Sequence, residues 1–563
     1  MNKKLLKYLS FLLLVIIIVG CDDEFLEIPP QAAENSAAFY LTQDHADQAI
    51  IAAYSQFNNI NIWDVNVMQR MGDIPSDDAE AGGEDITDCP DLQDFGRLTS
   101  LTTEGHHEGV FGTLYRGIYF SNIAIKEIPG IKEKDAEASS ALLDIRVAEA
   151  KFIRAINYFY LTMIFGGVPY VDHVLGADEY QQPRADIKEI YNLIESDLKE
   201  AIAVLPEPSG WGSEVGRASK GAAKALLGRL YLHESSYAKN YGGKDDRFDG
   251  MTQRWAEALD YSEQVINSGE YELVGIDGRQ DYNSWRGTTN GYRYIFTSAG
   301  DNSKESVFEI QCVQEGLGWS AARGNSMAQW SSARWYYDNG VATRTSYWGF
   351  GVPTQALWDA FEPGDPRLAA SMVREGGING DYSTTDSVQV SNGLSYPYCF
   401  EHCITNIYDT KWEAATAEFV DIANVPWHGA PQNIRLIRFS EVYLNSAEAA
   451  FELGQTDKAL EYVNKVRERA RMCGGPGHTI PAALTSTDIS LEAIQNERRI
   501  EFSSEGKRFY DIVRWGIADD LLNATPTIDG YPRKFVVGKH EFHPVPEVEV
   551  SLSNNKLKQY EGW

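Results

Sequence analysis

The strongest constraint on this chain is a set of long stretches whose apolar residues recur every three or four positions. In residues 146–167, RVAEAKFIRAINYFYLTMIFGG, one stripe holds Ala148, Phe152, Ala155, Phe159 and Met163. That is the period of an α-helix, and it predicts a helix with one face in a core. Gly166 and Gly167 end it and Pro169 keeps it ended. Residues 186–206 follow with Ile190, Leu193, Ile194, Leu198, Ala201 and Leu205 on one face. Residues 218–239 and 254–271 form a second pair. Residues 434–470 hold a third: Leu436, Phe439, Tyr443, Ala447 and Phe451 make one stripe, Gly454 breaks it, and Ala459, Leu460, Val463 and Val466 make the next.

Two helices around a glycine turn within about 34 residues match a tetratricopeptide unit. The pairs are not contiguous. Residues 268–435 separate two of them and are rich in Gly, Tyr, Trp, Asn and Ser. Interruptions of that length inside a compact body are usually functional. The expected architecture is therefore mainly α, a helical-repeat platform with a large irregular, loop-rich face. At 563 residues a length prior would give three or four domains, but helical repeats can make one long body.

The formal charge is −31. Nucleic-acid phosphates need a basic face, so nucleic acid is not an expected partner. The N-terminus reads as a targeting segment: Lys3, Lys4 and Lys7 precede the mostly apolar residues Tyr8 to Val19. That run suits an export signal and is too short to span a bilayer comfortably. Ile18-Val19-Gly20-Cys21 puts a small residue directly before a cysteine, as in a bacterial lipobox. Cleavage there would leave Cys21 lipidated, a firm membrane tether. Outside this segment no run of 18 apolar residues exists. The other cysteines, at 89, 312, 399, 403 and 473, are too sparse for a disulfide scaffold. Cys399 and Cys403 read as a local disulfide or two buried thiols, and less readily as zinc ligands, because no second ligand cluster sits at the usual spacing.

No reaction motif stands out. Walker loop, dinucleotide fingerprint and G-x-S-x-G are all absent. Glu497, Glu501 and Glu505 would share a face of a helix, and paired carboxylates can hydrolyse glycosides. Arg498, Arg499, Lys507, Arg508 and Arg514 crowd the same block, however, and a carboxylate beside arginine stays ionised, which spoils a general acid. His106-His107 and His540-Glu-Phe-His543 lack the spacing of a zinc helix and read as solvated or capping histidines. No cofactor or metal is expected.

Five stretches, in order, carry a resemblance: CDDEFLEIPP from Cys21, RAINYFYLTMIFGGVPYV from Arg154, GRASKGAAKALLGRLYL from Gly216, NERRIEFSSEGKRFYDIVRWG from Asn496, and HPVPEVEVSLSNNKLKQYEGW from His543 to the last residue. Together they resemble the SusD/RagB family of surface lipoproteins from Bacteroidota glycan-uptake systems. Residues 268–435 do not align. The resemblance implies about four tetratricopeptide-like helix pairs against a loop-rich face. It divides the chain into a signal peptide at 1–20, an N-terminal region at 21–235, a helix pair plus variable aromatic-rich insertion at 236–435, and a C-terminal region at 436–563. It implies a non-catalytic protein that captures an oligosaccharide or polysaccharide and hands it to a SusC-like TonB-dependent outer-membrane transporter. A peptide cargo is the variant of that role; a surface glycoside hydrolase is the competing class. Asp22, Asp23 and Glu24 resemble a surface-export signal, or else begin a solvated linker, so the outer membrane, facing outward, is the expected location.

A glycan site needs flat apolar faces for sugar rings and polar groups for hydroxyls, and Trp and Tyr supply both. Of thirteen Trp, five (Trp319, Trp330, Trp335, Trp348 and Trp358) fall between 319 and 358, with Tyr336, Tyr337 and Tyr347 among them. The segment holds no clean helical or strand period, so these rings are candidates for the ligand face. Asn325 and Arg334, with Gln329, Asp338 and Asn339, are the candidate hydrogen-bonding groups. A second candidate is the loop with Trp63, Asp73, Asp77 and Asp78, whose acids could meet hydroxyls or calcium but do not follow the EF-hand order; a solvated turn capped by aspartates is the alternative. Trp285, with Tyr292 and Tyr294, is a third.

Overall fold

The computed structural model describes residues 39–58, 70–275, 291–313, 324–345, 347–374, 387–389, 395–412 and 430–563. The helices that matter below are α1 (Gln43–Tyr54), α2 (Gly105–Glu127), α3 (Ser140–Phe165), α4 (Ile187–Val204), α5 (Lys220–Tyr241), α6 (Trp255–Ile266), α7 (Phe439–Glu452), α8 (Thr456–Cys473), α9 (Leu491–Glu501) and α10 (Arg508–Arg514). Each predicted periodic stretch contains its helix, except that 434–438, including Leu436, is a strand rather than the start of α7, and local chemistry sets the ends. Ser139, Ser219 and Ser490 accept the N–H of Leu142, Ala222 and Ala493, capping α3, α5 and α9. α3 stops at Gly166, whose φ of +72° suits glycine. A Cβ there would also lie 2.7 Å from the Tyr560 ring, and Gly167 N–H donates to the Tyr560 hydroxyl at 2.8 Å. The turn after α3 is thereby sealed by Tyr560.

From α2 to α8 each helix packs on the next, and α6 packs directly on α7. The long segment between Ile266 and Phe439 therefore leaves the helical array and returns to the same point. Within it β2 (Ser306–Ile310) pairs antiparallel with β10 (Ile434–Arg438), the strand that leads directly into α7. This explains how tetratricopeptide-like pairs far apart in sequence make one platform. Among the described residues the main apolar core draws on residues from Ala53 to Leu557, and a smaller cluster packs α1 against α2 and α3.

The remaining strands form two-stranded pairs outside the array. β1 (Ala79–Gly82) pairs with β5 (Phe350–Pro353), β3 (Trp335–Asp338) with β4 (Val341–Arg344), β6 (Met372–Arg374) with β9 (Ile407–Asp409), and β7 (Ser387–Gln389) with β8 (Ser395–Pro397). None is long enough to fold alone. They rest on small apolar clusters, one of them Ala333, Val352, Val373, Tyr398, Phe400, Cys403 and Tyr408. Among the described residues no helix is long and apolar enough to cross a membrane.

Candidate functional site

The segment with no clean period contains a β-hairpin. β3 and β4 turn through Asn339 and Gly340, both at positive φ (+48° and +81°). Asn-Gly is the residue pair that a two-residue type I′ turn selects. Pairing places Trp335 opposite Arg344 and Tyr336 opposite Thr343. Tyr336 also bridges to Tyr398, which ties the hairpin to the segment after β8.

The exposed edge of this hairpin is aromatic and polar together. Trp335, Tyr336, Tyr337, Tyr347 and Trp348 are each partly exposed. The Arg344 guanidinium carbon lies 5.1 Å from the Trp335 ring centre, a cation–π contact. The His402 ring leans on Trp335 at 4.5 Å. Behind it, Arg334 ion-pairs with Asp88 at 2.6 Å and Glu84 at 3.1 Å, and donates to the Trp348 carbonyl at 3.1 Å. Glu84 also pairs with Arg344. The β1–β5 pair brings Glu84 and Asp88 here, so the acidic loop after β1 does reach this face.

Of the residues expected at the ligand face, Trp335, Tyr336, Trp348 and Arg334 are all partly exposed in this segment; Arg334 donates to the Trp348 carbonyl, and Tyr336 packs on the buried cluster beneath the hairpin. Trp330 and Asn325 are a correction: both have 0% exposure. Trp330 meets Trp348 edge-on at 4.8 Å and Phe350 at 5.4 Å, filling the gap between a short helical turn and β5. Asn325 is turned inward, its carboxamide oxygen accepting from Met327 N–H at 2.7 Å. Trp63, Trp285, Trp319 and Cys21 lie outside the described residues.

Asp73 is also corrected. It is buried, and accepts the Gly506 N–H at 2.9 Å; burial pushes its carboxyl up to about 7. Asp77 pairs with Arg508 at 2.8 Å, and Asp78 accepts from Arg499 at 2.6 Å. The segment is neither a solvated turn nor free to meet a hydroxyl or calcium. It is an ionic clamp between the N- and C-terminal regions.

A family model described as "SusD family" matches residues 279–563, and one described as "Starch-binding associating with outer membrane" matches residues 29–232. The chain belongs to the SusD family. It is 25% identical to a SusD-like protein of Formosa agariphila across 97% of each chain. It is 23% identical to the starch-binding protein SusD of Bacteroides thetaiotaomicron, over 84% of this chain and 82% of that one. Among solved structures, a laminarin-binding SusD-like protein superposes with a TM-score of 0.71 at 25% identity, covering 93% of this chain and all of the other. Surface glycan-binding protein A from Bacteroides thetaiotaomicron, in complex with laminarihexaose, gives 0.70 at 23% identity, over 92% and 99% of the two chains.

In this SusD-family chain the block NERRIEFSSEGKRFYDIVRWG is a buried charge network. Only Glu497 and Glu501 are on α9; Glu505 lies in the turn beyond it. Arg367 donates to Glu497 at 2.6 Å and Glu501 at 3.0 Å, while Arg438 reaches Glu501 at 2.9 Å and Glu505 at 2.7 Å. Arg469 pairs with Glu501 and Glu305, and Lys411 with Glu505 at 2.6 Å. Burial alone would raise Glu501, but Arg469, Arg438 and Arg367 outweigh it and hold the carboxyl far below its usual range. A group so held does not deliver a proton near neutral pH. His540 caps the Val536 N–H at 2.8 Å, as expected, but His107 and His543 differ. His107 Nε2 and His543 Nδ1 are 3.4 Å apart in the core, and burial drives His543 down to about 3. They are neutral core residues, not solvated ones.

Sequence reasoning missed Arg344, Glu84 and His402 as companions of Trp335. The readable signal was Asn339-Gly340 between two strand-like runs. The partners across the hairpin follow from it; His402 follows only from tertiary packing.

Proposed function

We propose that the protein is a non-catalytic, cell-surface glycan-binding lipoprotein. It captures an oligosaccharide and passes it to a SusC-like TonB-dependent transporter, while lipid on Cys21 tethers it to the outer membrane with its ligand face outward. The observation that carries the reading is the partly exposed rim of Trp335, Tyr336, Tyr337 and Trp348, flanked by Arg334 and Arg344. Ring faces there meet the apolar faces of sugars, and the guanidiniums meet hydroxyls. The names of relatives that bind starch and laminarin support a neutral glucan as the first cargo to try.

The test is binding of the purified chain to a panel of neutral and acidic polysaccharides by calorimetry, with released products assayed in the same wells. Binding to one sugar class with no product is expected. Trp335→Ala should weaken it by about 2 kcal/mol or more, as loss of a stacking anchor does. Product release would favour the hydrolase instead. Binding of peptides but no glycan would replace the cargo, and unchanged affinity in Trp335→Ala would remove the rim from the site.

A further inference from the structure

The turn beside the aromatic rim holds three side chains whose shared chemistry has no role in the reading above. Cys399, Glu401 and His402 each offer one ligand atom, and these atoms all lie within 4.8 Å of one another. The backbone under them is fixed from several sides. Cys399 N–H donates to the Trp335 carbonyl at 3.1 Å, the Tyr408 hydroxyl donates to the Cys399 carbonyl at 3.0 Å, and Cys403 N–H closes the turn onto the Phe400 carbonyl at 2.9 Å. Beneath lies the cluster of Val352, Val373, Tyr398, Phe400 and Tyr408. The turn therefore stands on a packed base and does not hang from a loop.

The side chains are restrained too. His402 is exposed, but its ring rests on Trp335, which Arg344 covers in turn. Glu401 is exposed and its carboxylate accepts the Tyr337 hydroxyl at 2.7 Å. Carboxylates and imidazoles that bind metals are usually oriented by such outer partners. Cys399 is a free, fully buried thiol at the floor of the group. The neighbouring Cys403 is not part of it, because its sulfur is hydrogen-bonded to the Ile407 carbonyl at 3.3 Å.

We propose that Cys399, Glu401 and His402 bind one zinc-class divalent cation. A thiolate, an imidazole and a carboxylate are the donor set zinc takes; calcium and magnesium take oxygen ligands. Metal–ligand bonds of about 2.0–2.3 Å put the ligand atoms of a tetrahedral ion about 3.5 Å apart. Ligand atoms within 4.8 Å of one another need close by little more than about 1 Å to reach that spacing. Three protein ligands leave a fourth position open to solvent, beside Tyr337 and Trp335. Binding replaces the thiol proton by the metal, so one proton leaves Cys399 for solvent. The inference does not rest on the nature of the cargo.

The test uses the purified, untagged chain, kept reduced and stripped of metal by a chelator. Calorimetric titration with Zn²⁺ should give one site, and Co²⁺ should give a near-ultraviolet thiolate-to-metal band. His402→Ala and Glu401→Gln change exposed positions and should leave the thermal melt of the metal-free chain unchanged. Each should weaken Zn²⁺ by about tenfold or more, at least the loss seen when an outer partner is removed. Cys399→Ser should abolish the cobalt band, and Cys403→Ser should keep it. The proposal fails if cobalt gives no thiolate band, or if His402→Ala binds zinc as tightly as the parent. It also fails if thiol counting on the protein isolated from its native envelope finds Cys399 and Cys403 joined.

Discussion

At the residue scale, several charges sit where they are hardest to hydrate. Glu501 has no exposed surface and receives Arg367, Arg438 and Arg469. Removing one partner from such a group strands the others, at a cost of about 3–5 kcal/mol. Glu501→Gln keeps the shape and removes the charge, so urea unfolding should show a loss of that size. A catalytic acid would instead lose turnover with its fold intact. His543 gives the pH dependence. Its usual value is 6.5 and burial takes it to about 3 in the folded chain. Between those values the unfolded chain binds the extra proton, so stability falls as pH falls through that window. Asp73 and Glu104 run the other way. Burial raises them to about 7 and about 8, so their contribution is full below pH 4 and is lost as pH rises through those values. Unfolding at pH 7 and pH 4.5 should therefore show a smaller acid loss in His543→Phe than in the parent, while the two carboxyls are unchanged between the proteins.

At the element scale, the β3–β4 hairpin is the piece whose geometry sets the aromatic rim. Gly340 sits at φ +81° with nothing within 4 Å of a would-be Cβ, so space is not the issue there. The cost of a side chain is conformational, about 1–2 kcal/mol. Gly340→Ala should destabilise the hairpin by that amount and weaken glycan binding, although it touches no ring. Calorimetry beside a thermal melt separates the two effects. A binding loss with no change in global melting would show that the hairpin opens locally. Unchanged binding would mean that the rim does not need the turn.

At the scale of the whole molecule, segments from the first third of the chain and the C-terminal region hold each other. Arg499 spans Asp77 at 3.0 Å and Asp78 at 2.5 Å, and Arg508 pairs with Asp77 at 2.8 Å. Tyr560 meets Gly167, and Glu547 N–H donates to the Thr102 carbonyl at 2.8 Å. Arg499→Ala leaves two buried carboxylates short of a cation and should cost about 3 kcal/mol. Adding Asp78→Ala should cost less than the sum of the single losses, because the second change removes one stranded charge. Additive losses in that double-mutant cycle would mean that the pair is not coupled and that the clamp lies elsewhere.

Sequence by itself determined the strongly periodic helices, the glycine stops after α3 and α7, and the family; α1, α2 and the serine caps came with the structure. Sequence reaches those helices and stops through local chemistry: a 3.6-residue period, a glycine where φ must be positive. It also contained the Asn339-Gly340 turn, which reads as a hairpin once the rings around it are not required to share one period. What it did not contain is which of many Trp, Asn and Asp residues would face water. Trp330 and Trp335 are five residues apart in the same aromatic run. One fills a hole against β5 and the other is partly exposed, in contact with Arg344 and His402, and residues far along the chain decide which. Asp73, Asp77 and Asp78 look like a loop until Arg499, Arg508 and Gly506 arrive from more than 400 residues away. Burial is a property of long-range packing, and a one-dimensional pattern carries it only where the element is regular enough to have a face.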